Sequence, residues 1–295
     1  MKLFDPWAPL RNTIRGMVGS KGPPVAYLEP PGDPGLFGPQ SVAWRVHADF
    51  TSMMVGGIRA LLLQALHPGA LAGVWDHSSF REDLQGRLAR TAGFVAATTY
   101  GGEAMARAAI ERVNAIHAKV RGVDEQGRPY SALDERLLSW VHLTESWSFL
   151  TAHLRYVDTT LSLAQQDQYF AEMARLGSLL GAGALPETRA DVESALSGFR
   201  AELVFSARSA TVLQLLESFP APPVQRPILR IFYRAALADL PPWAKQLMGL
   251  GPVSGLEQAA IGLSIQAVAM PIREALKDGV AAHAQRRMET PGFPQ

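Results

Sequence analysis

Five residues at helical spacings carry most of the chemistry this chain could perform. Arg87, Arg90 and Thr91 fall at i, i+3 and i+4, so a helix sets two guanidinium groups and a hydroxyl on one face. His117 and Arg121 fall at i and i+4, and His117 lies within an apolar stripe of Ala106, Ala109, Ile110, Val113, Ile116 and Val120. Apolar faces seldom carry an imidazole or guanidinium unless something inside the fold answers it. One answer is bland: a neutral core histidine with both ring nitrogens hydrogen-bonded. The other is a metal. Iron takes an imidazole ligand, and a haem's two propionates take cationic, preferably bidentate, partners. His117 is then the metal ligand, and Arg87 and Arg121 lie at the acidic edge of the porphyrin.

The remaining histidines divide by context. His67 stands before Pro68, either as a cap bonded to a loop carbonyl or as a group in the pocket. His142 and Glu145 form H-x-x-E, a ligand pair or an oriented histidine, and His142 joins the candidate cofactor contacts. A carboxylate-bridged di-iron bundle needs the reverse order, Glu-x-x-His, twice, and that pattern is missing. Asp76 and His77 fall in an expected loop, suited to bonding its backbone. His47, His153 and His283 carry no signal above background.

These residues need elements to hold them. Residues 20–39 are dense in Pro and Gly, which excludes a helix and predicts an irregular arm over the main body. From Ser41 the apolar spacing turns helical, and Pro68 predicts a helix end at His67 followed by a loop, PGALAGVWDHSSF. Further helices are predicted at about 81–98, 103–121 with Gly122 at C′, and 134–157. Ser162 and Thr188 head two more, and the last long one runs near 254–280 through Pro271. No stretch alternates convincingly enough for a sheet. The reading is all-α: an arm over residues 1–40 and one helical domain over 41–295.

Composition excludes other classes. With 28 basic and 27 acidic residues and no Lys/Arg run, no nucleic-acid footprint is expected. The absence of Cys excludes disulfides, thiolate-ligated haem and iron–sulfur clusters. No phosphate loop, nucleophile elbow or dinucleotide fingerprint is present. The N-terminus lacks an apolar secretory core, and Glu257, Gln258 and Gln266 interrupt the apolar stretch near 249–272. The expectation is a cytoplasmic protein without stable membrane insertion, its oligomeric state open to a homo-oligomer.

The segments LLQALHPGALAGVWDHSSF, RLARTAGF, IHAKVRG and LLSWVH, in that order, resemble the bacterial and fungal family containing latex clearing protein and the MpaB oxygenase. The similarity runs from about Trp44 to Leu203. It implies a multi-helix domain with a globin-like core holding haem b, and oxidative cleavage of an alkene in a prenyl-type chain by O2. By resemblance His117 is the proximal ligand, with Arg121 four residues on. Arg87, Arg90 and Thr91 match an Arg-x-x-Lys-Thr stretch on the distal and propionate side. Here arginine replaces the lysine, and a guanidinium stays protonated and ligates iron poorly. Arg90 is therefore expected to donate a hydrogen bond to bound oxygen or a propionate, with Thr91 in support and His67 in the pocket. The expected substrate is an apolar terpenoid or lipid-like small molecule. Alternatives are another haem enzyme on this scaffold, such as a peroxidase, dehydrogenase or dehydratase, or a non-enzymatic haem-binding or sensing protein.

Overall fold

The computed structural model describes residues 5–17 and 24–289. The start of the predicted arm at residues 20–23 lies outside them. The described residues form a single all-α domain with one two-stranded sheet. The chain runs α1 (Ala8–Met17), α2 (Val42–His47), α3 (Phe50–Gln64), α4 (Pro68–His77), α5 (Leu84–Tyr100) and α6 (Glu103–His117). A hairpin of β1 (Arg121–Val123) and β2 (Pro129–Ser131) follows. Then come α7 (Glu135–Tyr156), α8 (Leu163–Leu179), α9 (Arg189–Gly198), α10 (Ala207–Glu217) and α11 (Arg226–Ala238). The last three are α12 (Pro242–Leu247), α13 (Gly255–Leu276) and α14 (Val280–Glu289).

The α3–α7 pair is the spine. Gly56 faces Phe149, and Gln64 Nε2 donates to the Val141 carbonyl at 3.2 Å, so the two helices run antiparallel. A Cβ at Gly56 would stand 2.9 Å from both Phe149 Cδ1 and the Ser148 carbonyl oxygen. That approach is closer than any side chain permits. Gly56→Ala should therefore destabilise the fold by about 1–3 kcal/mol, read as a lower urea midpoint, because the helices must part. A midpoint equal to wild type would contradict this packing. α10, α11 and α13 pack on α3, and α8 and α9 pack on α7. α5 and α6 pair with each other, and the far end of α5 rests on α2 and α14.

Caps explain several boundaries. Asp134, Ser162, Thr188 and Ser254 each accept a backbone N–H from the first turn of the following helix, as their residue types predict. Asp49 does the same for α3 and breaks what the spacing presents as one helix from Ser41. A helix does end just before His67, as Pro68 predicts, but the loop expected to follow is corrected. Pro68 is the first residue of α4, where its missing N–H costs nothing, and PGALAGVWDH is helical. The helix expected to reach Arg121 stops at His117, and Gly122 is a strand residue opposite Tyr130. A Cβ at Gly122 would lie 2.7 Å from the Tyr130 hydroxyl, which is the reason for glycine there.

The arm does lie over the body. Arg287 of α14, fully buried, donates to the carbonyls of Asp33 (2.8 Å), Tyr27 (3.1 Å) and Tyr100 (2.7 Å). Gly35, at φ +66°, passes so close to the Gly101 carbonyl that a Cβ would overlap it at 2.2 Å. Asp33 Oδ2 then accepts the Glu103 N–H at 2.8 Å and so fixes the start of α6. The helix bearing His117 is thus set from its first turn by the arm. α1 was not expected, and its Ile14 and Met17 join the core. α13 is the one helix among the described residues long and apolar enough to cross a membrane. One of its faces, with Ile261, Ile265, Ala269 and Ile272, is core, while Leu256, Leu263 and Met270 lie in solvent.

Candidate functional site

His117 is the last residue of α6 and half-buried. Its Nδ1 is sealed from solvent and bonds nothing among the described residues. Burial holds its pKa below the ordinary value, so the ring is neutral at pH 7 and a lone pair is available. The bland reading, a core histidine with both nitrogens satisfied, fits His47 instead. There Nδ1 meets Thr99 Oγ1 at 2.8 Å and Nε2 meets the Tyr169 hydroxyl at 3.0 Å. One turn before His117, Asn114 Nδ2 donates to the Leu179 carbonyl at 3.0 Å, which ties α6 to the end of α8.

Arg87, Arg90 and Thr91 do lie on one helix, α5. Arg87 is half-buried and donates from Nη1 to Ser78 Oγ at 3.1 Å. Arg90 and Thr91 are exposed. Arg90 stands 3.7 Å from the Asp83 carboxylate, and the Thr91 hydroxyl bonds back to the Arg87 carbonyl at 3.2 Å. Arg121 is not on the helix of His117. Its carbonyl meets His77 Nε2 at 3.1 Å, within β1, and its side chain is exposed. The structure therefore sets Arg87 apart from its two neighbours by burial, and it separates Arg121 from His117 by a change of element.

His67 is buried at the N-cap position of α4, yet its side chain makes no capping bond, so the cap reading is corrected. The ring packs near Trp140 and Phe199 and lies 3.5 Å from Glu202, too poorly aligned for a hydrogen bond. Burial lowers the pKa of His67, and Arg136 beside Glu202 holds that carboxyl below its usual range. A cavity of about 460 Å³ opens next to this group, walled by Leu143, Leu185, Pro186, Ala195 and Phe199, with Arg136 at its rim.

On α7 the H-x-x-E spacing is fully expressed. His142 is buried, and its Nε2 meets the Met173 carbonyl of α8 at 2.6 Å. A carbonyl oxygen only accepts, so Nε2 carries the proton and Nδ1 is a bare acceptor. Burial lowers the pKa of His142 to about 4. Gly177 permits this contact, since a Cβ there would stand 2.9 Å from His142 Cδ2. Glu145, one turn on, has no hydrogen bond and no ion pair among the described residues, and burial pushes its pKa up to about 7. The side chain keeps some accessible surface.

Glu145 gives a prediction with a definite sign. Its pKa rises from an ordinary 4.5 to about 7 on folding, so the native state loses stability as pH climbs through that interval and levels off above it. Glu145→Gln should therefore stabilise the protein by roughly 2–3 kcal/mol at pH 8 and by almost nothing near pH 4, measured by urea denaturation. A gain of equal size at both pH values would contradict the assignment.

Residues 44–273 match a family model described as ER-bound oxygenase mpaB/B'/Rubber oxygenase, catalytic domain. The chain belongs to this family. Comparison with curated proteins and with solved structures returns no match. As an mpaB/rubber oxygenase catalytic domain the chain is an oxygenase in kind, and the matched span contains every candidate residue from His67 to Glu145. Among the described residues no group of three or more His, Asp or Glu side chains could hold a bare metal ion. Sequence spacing missed two features of the site. One is the His67–Glu202 contact, which spans α4 and a segment far along the chain. The other is the anchoring of His142 by α8, for which the only local sign is Gly177.

Proposed function

We propose that this protein is a haem b-dependent oxygenase acting on an unsaturated, apolar small molecule, terpenoid or lipid-like, with O2 or peroxide as oxidant. The observation that carries the reading is His117. It is a neutral imidazole on a helix end, with a buried nitrogen that nothing among the described residues answers, inside the span matched by an oxygenase family. A prosthetic group that needs one protein ligand fits this donor set, whereas a metal ion that needs three or four does not. When bound, haem supplies the oxygen-activating redox chemistry.

The chain's own residues hold and shield. His117 is the ligand. Arg87 spends a single N–H on Ser78 and keeps the rest of its fork for a propionate. Arg121 and Arg90, both at the surface, neutralise the acidic edge from outside, and Thr91 braces the helix turn that carries Arg87. His67, neutral and packed by aromatic rings, belongs to the pocket wall. His142 is held by Met173 and serves the pocket in place of the cofactor.

The test is oxygen uptake by protein purified from haem-supplemented cells, offered a panel of terpenoids and unsaturated fatty acids. O2 consumption matched by carbonyl products supports the proposal. Turnover with peroxide and none with O2 replaces it with a peroxidase, and a haem-loaded protein inert to both is a binding protein.

A further inference from the structure

We propose that His142 and Glu145 form a hydroxyl-binding subsite on one face of α7, so that the ligand is an apolar molecule carrying one alcohol group. The two residues stand one turn apart on the same face of α7. Leu138 and Val141 continue that face in apolar form, so the polar groups are confined to one spot. The chemistry at that spot is complementary to an alcohol and to little else. His142 offers a lone pair at Nδ1, because its proton is committed to the Met173 carbonyl. Glu145 offers a carboxyl that no other described residue uses, and burial keeps it protonated through much of the neutral range.

A hydroxyl donates once and accepts twice, so it can give its hydrogen to Nδ1 and take one from the carboxyl. A carboxylate or phosphate has nothing to donate. An ammonium can donate to Nδ1 but finds a second acceptor only when Glu145 gives up its proton. A metal ion would find two ligands and no third.

The geometry is held from behind. Gly177 lets α8 come within reach of His142, and a Cβ there would also strike Leu185 Cδ1 at 2.2 Å. The ring therefore cannot turn its Nδ1 away without giving up its bond to Met173. An unpaired interior carboxyl costs stability, and a ligand hydroxyl removes that cost on binding. Selection against an analogue without the hydroxyl follows, because that analogue leaves both groups unpaired.

The inference deepens the substrate class proposed above and rests on it for the apolar part of the ligand. Its test reads binding, not turnover, so a protein that carries no haem leaves the result interpretable. Isothermal titration of the purified full chain with 1-decanol, decyl methyl ether and decylamine separates the cases. The alcohol should bind about tenfold more tightly than the ether, the discrimination expected of a site built around a hydroxyl. Glu145→Leu should bring the two within about twofold while leaving the ether unchanged, and Glu145→Gln, which keeps a donor, should retain most of the preference. Equal affinity for alcohol and ether in the wild type overturns the proposal, as does tighter binding of decylamine or failure of all three probes to bind. Should Glu145→Leu not fold, Gly177→Ala, which crowds His142, should lose the preference in its place; alcohol selectivity surviving there also overturns it.

Discussion

Arg59→Ala is expected to destabilise the protein by about 3–5 kcal/mol, the range for stripping one partner from a buried charge network. Arg59 is 1% exposed and sits in the middle of α3. Its Nε donates to the Asp239 carbonyl at 2.9 Å, its Nη1 donates to Ser148 Oγ at 2.7 Å, and its guanidinium lies 4.0 Å above the Trp147 ring. Burial brings its pKa down to about 10, which still leaves it charged at pH 7. The Asp239 side chain is completely buried and also ion-paired with Arg155 at 3.2 Å. Alanine would remove the cation, open a cavity against Trp147, leave the Asp239 carbonyl without its donor and take one positive charge from around a carboxylate that Arg155 still pairs. Arg59→Met fills the cavity without the charge and should recover part of the loss. Adding Asp239→Asn should recover more, because a buried carboxylate short of one cation disappears with it. Urea denaturation with a double-mutant cycle measures the coupling. A cost below about 1 kcal/mol for Arg59→Ala would mean that the network carries no stability.

None of that network was legible in the sequence. Arg59 and Asp239 are 180 positions apart, and neither belongs to a motif. A charge inside an apolar helical stripe marks an oddity, but only the packing of α11 on α3 supplies its partner. The caps were legible because an N-cap is a local device. Asp134, Ser162, Thr188 and Ser254 act within three residues of themselves. Asp49 is the same device, missed because apolar spacing runs through it without a break. Pro68 was misread for a related reason: a proline disfavours helix at the residue before it and equally favours the first turn of a new one. Past His117 the sequence reads as a helix closing on Gly122. The chain instead turns at Asp124–Gly127 and pairs back on itself, because Tyr130 buries its ring against α4 and bonds Asp76 at 2.8 Å.

For the site, the type and inward placement of His117 were readable, and so was the placing of His142 and Glu145 one turn apart on a single helix. The states of these groups were not. Whether a histidine is answered depends on residues from other helices: Thr99 and Tyr169 answer His47, Met173 answers one nitrogen of His142, and no described residue answers His117 Nδ1. The proximity of Arg121 to His117 along the chain was likewise no guide to their relation in space, since the helix ends between them.

His117→Ala is the second change with a large expected effect. The imidazole is neutral, stands at a helix end beside α5 and has a sealed, unbonded nitrogen, so its loss should lower haem affinity by a hundredfold or more, on the order of 3 kcal/mol. The fold itself should persist. His117 lies at a helix terminus, its side chain makes no hydrogen bond among the described residues, and it contributes nothing to the α3–α7 spine. Far-ultraviolet circular dichroism should therefore match wild type within error.

The measurement that tests the account most directly is the absorption spectrum of the protein purified from haem-supplemented cells, oxidised and then reduced with dithionite, beside His117→Ala prepared identically. The expected result is a Soret band that shifts on reduction in the wild type and is absent from the folded variant. A colourless wild type that refuses hemin, or a variant that keeps the same spectrum, would contradict the assignment of His117 and the oxygenase chemistry built on it.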